Sequence, residues 1–508
     1  MELPLIGNIA SRVELLGSTC LLLFVFLAFS SSRTTDPIYA HFRRFGGNLF
    51  SRKPIYKVVE NGYSEVKGNE PFVVRWWAKD FIVMPPKYLK DIKGAGWRHL
   101  SFFHNISNAL YLHTSVGDLY TADSSQRMVD VIKRGLNPQL PHLTSGLLDE
   151  ISFSFEKILG PCTDWREVKA MAFFGEIAHR TATRVLVDEE LCRNDIFIHQ
   201  SMGFVKSIFV TALVIVKLPL GPFRGVLAWP LSSIHRWKLR RSMESLRPVV
   251  IKRIKEAREG SKTIHLDAIQ WTLDLFPETA QIEGTDLFEK ELLHNLWAGS
   301  SAPGGMITEV IYQLLLHQED IQVVREESSK SLSRHGWSEK MLNSLNMLDS
   351  YIRETNRLFP TGSMTSVRTV LNSPFQFTDG LTLPVGCRFG FPAKAIQLDH
   401  HGLKNPRKFD GFRFSRPSVD EASTSEAERK WGASSVNTSN LPWGYGNHVC
   451  PGRFFAVRLV KLVIAKLLLD YEIKWDNETQ NRPPSINVEG QFVPNISQKI
   501  SFKRRVGS

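Results

Sequence analysis

A cysteine set between a glycine-rich turn and a long apolar helix is the feature that most restricts how this chain can fold. Residues 442–456 read P-W-G-Y-G-N-H-V-C-P-G-R-F-F-A, and an apolar helical pattern runs on from Arg453 to Tyr471. At Cys450 the unpaired amides and the positive end of the helix dipole favour a thiolate over a thiol. Gly444, Gly446 and Gly452 let the backbone come close to a flat ligand. Trp443 is expected to lie against that ligand, and His448 to donate to one of its carboxylates. A lone cysteine is ordinarily a buried structural residue; the residues around this one argue for a metal ligand instead.

Two motifs precede the loop. Y-I-R-E-T-N-R-L-F-P, residues 351–360, sets Glu354 and Arg357 three apart, on one helix face and within pairing reach. N-P-R-K-F-D-G-F-R-F, residues 405–414, carries Arg413. With the loop, whose Gly446, His448, Cys450 and Gly452 fit F-x-x-G-x-R/H-x-C-x-G, the chain resembles the cytochrome P-450 haem-thiolate monooxygenases over nearly all of its length after the N-terminal segment. The resemblance implies haem ligated by Cys450, whose thiolate pushes electron density to the iron and favours O–O cleavage. It implies a buried structural network of Glu354, Arg357 and Arg413, and a haem-propionate partner at Arg368. Lys133 or Arg134 is the matching candidate for the other propionate. Trp443 stands where the family has Phe and is expected to tune the hydrogen bonding of the thiolate. D-G-L-T-L-P-V-G and C-P-G-R-F-F-A look most like fungal enzymes of secondary metabolism.

The segment 292–316, L-L-H-N-L-W-A-G-S-S-A-P-G-G-M-I-T-E-V-I-Y-Q-L-L-L, resembles the family's central helix, usually A/G-G-x-D/E-T-T over the haem. Ala298 and Gly299 match, but Ser301 replaces the acid and Ala302 the threonine that serve proton delivery there. Pro303 predicts a strong kink, and Gly304 and Gly305 weaken the helix further. Two routes remain for the proton: water assisted by Ser300 or Ser301, or a substrate hydroxyl in the space left at Ala302. The departure also admits an enzyme that rearranges or dehydrates its substrate without net monooxygenation.

The N-terminus reads as an anchor. Leu15 to Phe29 is uncharged and slightly short of the ~20 residues of a full span, yet adequate for a thin endoplasmic-reticulum bilayer. Ala28 and Ser30 mimic a signal cleavage site, but charge opposes that reading. Arg12 is offset by Glu2 and Glu14, whereas Arg33, Arg43, Arg44, Arg52 and Lys53 follow the run against Asp36 alone. The positive-inside rule then keeps the bulk of the chain cytosolic. Sequons at Asn105, Asn437, Asn477 and Asn495 would escape glycosylation.

The expected fold is predominantly α with a small β-rich lobe. One haem-thiolate domain, 33–508, stands behind an N-terminal segment, 1–32, with its anchor at about 15–32. Hairpins are expected at Phe72–Val74 with Phe81–Val83 and around Asp379-Gly380, and helices from about Ser125 to Lys330. Ser207 to Val216 is either a core helix or a second, monotopic membrane contact. Ser418 to Asn440 reads as a surface loop.

The net charge is +12, from 63 basic and 51 acidic residues, without a Lys/Arg block or zinc-finger signature, so nucleic acid is not an expected partner. Five scattered cysteines exclude a disulfide framework and fit a reducing compartment. The partners implied are a lipophilic small-molecule substrate, the membrane, and a membrane-bound NADPH–cytochrome reductase. Arg453, Arg458 and Lys461 are candidates to dock its acidic surface.

Overall fold

The computed structural model describes residues 37–46, 53–218, 220–261, 263–399, 403–415, 432–476 and 481–506. The expected anchor and the sequon at Asn477 lie outside them, as does most of the loop expected from Ser418 to Asn440.

Among the described residues eight long helices form the frame: α1 (Asn137–Leu159), α2 (Ala170–Leu186), α3 (Asp195–Lys217), α4 (Ser233–Arg258), α5 (Asp286–Leu316), α6 (Gln318–His335), α7 (Asn346–Leu358) and α8 (Arg453–Asp470). The core is built around α5, which packs most extensively on α2 and also meets α4, α7 and α8. An apolar sequence on every side is what a helix in the middle of a large core needs. α5 runs through Pro303 as one 31-residue helix, undivided at the expected kink. Gly304 has a packing use: a Cβ there would stand 3.0 Å from the Gly175 Cα, so its absence lets α5 and α2 touch backbone to backbone.

The β lobe is a six-stranded sheet ordered Arg43–Arg44, Phe72–Trp76, Lys79–Val83, Arg388–Phe391, Thr365–Val370 and Leu100–Ser101. The first hairpin forms in the expected place, with Val74 opposite Phe81. Its two-residue turn, Trp77-Ala78, has φ of +51° and +56°, the left-handed geometry that matches strand twist. The second hairpin is shorter than expected. Phe375–Gln376 pairs with Thr382–Leu383 around Gly380, whereas Arg388–Phe391 joins the large sheet through Ile82–Phe389 and Arg368–Phe389 pairings. Arg166–Lys169 interrupts the helical stretch as a strand beside Lys499–Arg504.

α3 is buried along one side only. Phe197, Ser201, Phe204 and Ile208 are buried, while Val210 and Val214 face outward. Beyond it Phe223, Val226, Trp229, Ile234 and Trp237 are exposed, Val226 at 75%.

Candidate functional site

The cysteine loop is held open by its backbone. Cys450 N–H donates to Trp443 O at 2.8 Å, Val449 N–H to Gly446 O at 3.0 Å, and Asn447 N–H to Lys93 O at 2.9 Å. Asn137 Nδ2, just after the π-helical turn Val131–Leu136, donates to Pro451 O at 3.1 Å and ties α1 to the loop. Gly446 has φ +74°, and a Cβ there would meet Lys93 O at 2.6 Å. The glycine is therefore needed for the approach of the Lys93 turn. Burial pushes the Cys450 thiol up, and the amides of Gly452 and Arg453 pull the other way without prevailing. A bound metal charge deprotonates a coordinating thiol outright.

Three cationic or hydrogen-bonding groups converge beside the loop. Arg368 is 2% exposed, its Nη1 donates to Val367 O at 2.7 Å, and its Nη2 has no partner. Burial alone lowers its guanidinium to about 9. His448 Nε2 donates to Ala95 O at 3.2 Å, leaving buried Nδ1 without a partner. Burial, then the charges of Arg368 and Lys133, push the imidazole down to about 3. Lys133 is exposed on the π-helical turn. A buried arginine with an unsatisfied N–H costs stability unless an acceptor arrives. A flat group carrying two carboxylates would supply that acceptor to Arg368, with the buried His448 ring beside it. The donor set thus fits haem.

Above this lies a face of α5. Between Phe288 and Leu315 only Ala298 and Ala302 are exposed, four residues apart and so on one face. Ser300 lies opposite that face, 2% exposed, its hydroxyl without a partner. Ser301 Oγ donates to Trp297 O at 3.0 Å and is engaged by its own helix. Neither serine stands ready as the expected water-assisting hydroxyl. Four residues before Ala298, His294 Nδ1 meets Tyr120 OH at 2.9 Å. Burial pushes that imidazole down to about 4, so it is neutral. Phe103, Tyr120, His294 and Trp297 make an aromatic wall, and Trp97 extends it to the His448 ring at 3.8 Å between centroids. Sequence reading missed this wall; the aromatic density of W-R-H-L-S-F-F-H, residues 97–104, was the available signal.

Below the loop the structure brings Glu354, Arg357 and Arg413 together. Arg357 Nε and Nη2 donate to Glu354 Oε2 and Oε1 at 2.7 and 2.9 Å, and Arg413 Nε donates to Oε1 at 3.1 Å. Asp410 N–H adds a fourth bond at 3.2 Å. The arginines also hold the carbonyls of Pro406, Lys404 and Lys408. This clasp fixes the 404–413 segment to α7.

Other expectations are corrected. Trp443 Nε1 donates to Ala433 O at 2.8 Å, so its indole N–H is not free for the thiolate. Arg453, Arg458 and Lys461 do not form a docking surface. Arg453 holds Cys450 O and Ser434 O, Arg458 pairs with Glu339, and Lys461 pairs with Asp349 at 2.6 Å. The cause is the burial of α8, whose basic side chains must find partners inside. Asn105 is 1% exposed and its Nδ2 donates to Arg368 O at 3.1 Å, so in the folded protein it supports Arg368 and is closed to glycosylation.

Comparison with known proteins agrees with this geometry. The family model "Cytochrome P450" matches residues 162–502. Cytochrome P450 monooxygenase sirB of Leptosphaeria maculans is 38% identical over 452 residues, covering 88% of this chain and 86% of that protein. Ent-kaurene oxidase of Gibberella intermedia is 27% identical, covering 88% and 83%. Cytochrome P450 monooxygenase paxP of Penicillium paxilli is 26% identical, covering 88% and 85%. Among solved structures, retinoic acid-bound cyanobacterial CYP120A1 has the same fold, with a TM-score of 0.65 at 14% identity over 91% of this chain and 99% of that one.

Proposed function

From the premise that this chain belongs to the cytochrome P450 family and so carries thiolate-ligated haem, we propose that Cys450 is the ligand and that the enzyme oxidises a lipophilic secondary-metabolite intermediate at an endoplasmic-reticulum membrane. Terpenoid, polyketide and alkaloid intermediates are the candidate classes. The observation that carries the reading is Cys450 at the mouth of α8 beside Arg368 and His448, two buried groups with unsatisfied nitrogens. Haem supplies the oxygen chemistry, with electrons from NADPH through a reductase. The chain's own residues do the rest. Arg368, His448 and Lys133 would hold the propionates, while Asn105 and Asn137 brace Arg368 and the loop. The aromatic wall excludes water, and neutral His294 offers one polar atom among apolar surface. One relative is by name an oxidase of ent-kaurene, which supports a small-molecule substrate.

Membrane attachment rests on the uncharged run from Leu15 to Phe29 and on the exposed apolar residues from Val210 to Trp237, which suit a second, monotopic contact. The soluble bulk is cytosolic in this reading.

A second reading, rearrangement or dehydration without net monooxygenation, draws on the absent acid and alcohol at Ser301 and Ala302. The two separate cleanly. Membranes from a strain expressing the chain with its reductase are supplied with NADPH, O2 and an extract of the strain lacking the protein. Monooxygenation predicts a new product only when both NADPH and O2 are present. Product without NADPH contradicts it and favours rearrangement.

A further inference from the structure

Past Ala302 the same stripe of α5 turns buried. Gly305 and Glu309 follow at three and seven residues, so the three share one stripe of the helix. Glu309 is 5% exposed. Its carboxylate accepts from Arg482 Nε at 2.9 Å, from Arg482 Nη2, and from Ser485 Oγ at 3.3 Å. Between Gly305 and Glu309 on α5 and Thr355, Asn356 and Thr361 across from them lies a cavity with room for about one water. The Thr355 hydroxyl is fully buried and has no protein partner. A buried hydroxyl beside a water-sized cavity is satisfied by a water.

We propose that Glu309 is the acid of a proton path that runs through the Thr355 cavity to the oxygen side of the haem site at Ala302, replacing the carboxyl missing at Ser301. The inference rests on the haem-monooxygenase reading above. Seven residues of helix span ~10 Å, too far for direct transfer and within reach of about three hydrogen-bonded waters. The carboxyl O–H breaks and its proton joins the cavity water; that water passes one of its own protons to a second water, and a third water takes the proton on to the open space at Ala302, each water gaining one O–H bond as it loses another. The carboxylate regains a proton from solvent at Arg482, whose side chain is 21% exposed. No electron moves in these steps. Burial pushes the Glu309 carboxyl up against the pull of Arg482 and Ser485. Arg482 and Tyr312 are the titratable groups that face it, and the Arg482 guanidinium also lies 4.4 Å from the Phe359 ring.

A structural tie between α5 and the C-terminal hairpin is the competing role, and the test separates them. Glu309→Gln keeps the shape and an acceptor for Arg482 but removes the exchangeable acid. Infrared difference spectra of the resting full-length protein across pH are expected to show a titrating, deuterium-sensitive carboxyl band that Glu309→Gln lacks. In turnover, Glu309→Gln is expected to raise peroxide released per NADPH by about 10-fold or more and to enlarge the solvent isotope effect. Thr355→Val is expected to fall between, and both variants keep the wild-type carbon monoxide spectrum. Wild-type coupling and isotope effect in Glu309→Gln, or no Glu309 band, overturns the path and leaves the tie. A wild-type enzyme that consumes no NADPH brings down the functional reading itself, and the path with it.

Discussion

Glu354→Gln is expected to destabilise the protein by about 3–5 kcal/mol, the cost of stranding buried charge. Glu354 has no exposed surface and receives bonds from Arg357, Arg413 and the Asp410 amide. The amide offers one acceptor oxygen where the carboxylate offers two, and its NH2 faces guanidinium groups. Arg357 is 2% exposed and has no water to turn to, so its charge is left buried. Native proteins hold only about 5–15 kcal/mol in total, so a large share of the fold's margin disappears. Arg357→Met is expected to rank next, leaving Glu354 with Arg413. Arg413→Met is expected to be mildest, because that side chain keeps 11% exposure and also serves carbonyls in a short loop. Thermal unfolding and haem content of the purified variants check the ranking. Equal melting temperatures for Glu354→Gln and the parent would show that the clasp is incidental.

The same residues show what a sequence can reveal. E-x-x-R is legible because a three-residue spacing fixes one helix face, and the cysteine loop because its glycines and cysteine sit at fixed offsets before an apolar helix. The Val74–Phe81 hairpin and the course of α8 follow from local alternation and periodicity in the same way. What stayed hidden depends on contacts between distant segments. Strand Arg166–Lys169 has no apolar alternation and exists because Lys499–Arg504 pairs with it. Gly446 read as a close approach to a ligand, and nothing local showed that the Lys93 turn, 353 residues earlier, also requires a glycine there. Arg458 and Lys461 looked like a charged surface because charge is ordinarily solvated. Their partners Glu339 and Asp349 lie on other elements. Asn105 read as a sequon and proves to be a brace under Arg368. The central-helix serines were legible as a departure, yet which face each occupies required α5 to be seen against its neighbours.

Ligation of haem iron by Cys450 is the claim on which the rest depends, and one spectrum tests it. The full-length protein is reduced in membranes and exposed to carbon monoxide, alongside Cys450→Ala and Cys192→Ala. Cys192 is a suitable control because it is a buried thiol whose sulfur lies 3.2 Å from Glu150 Oε2, in a different part of the fold. The parent and Cys192→Ala are predicted to show the strongly red-shifted Soret band of thiolate ligation, and Cys450→Ala to lose it entirely. A red-shifted band that survives in Cys450→Ala would contradict the assignment and the site built around it.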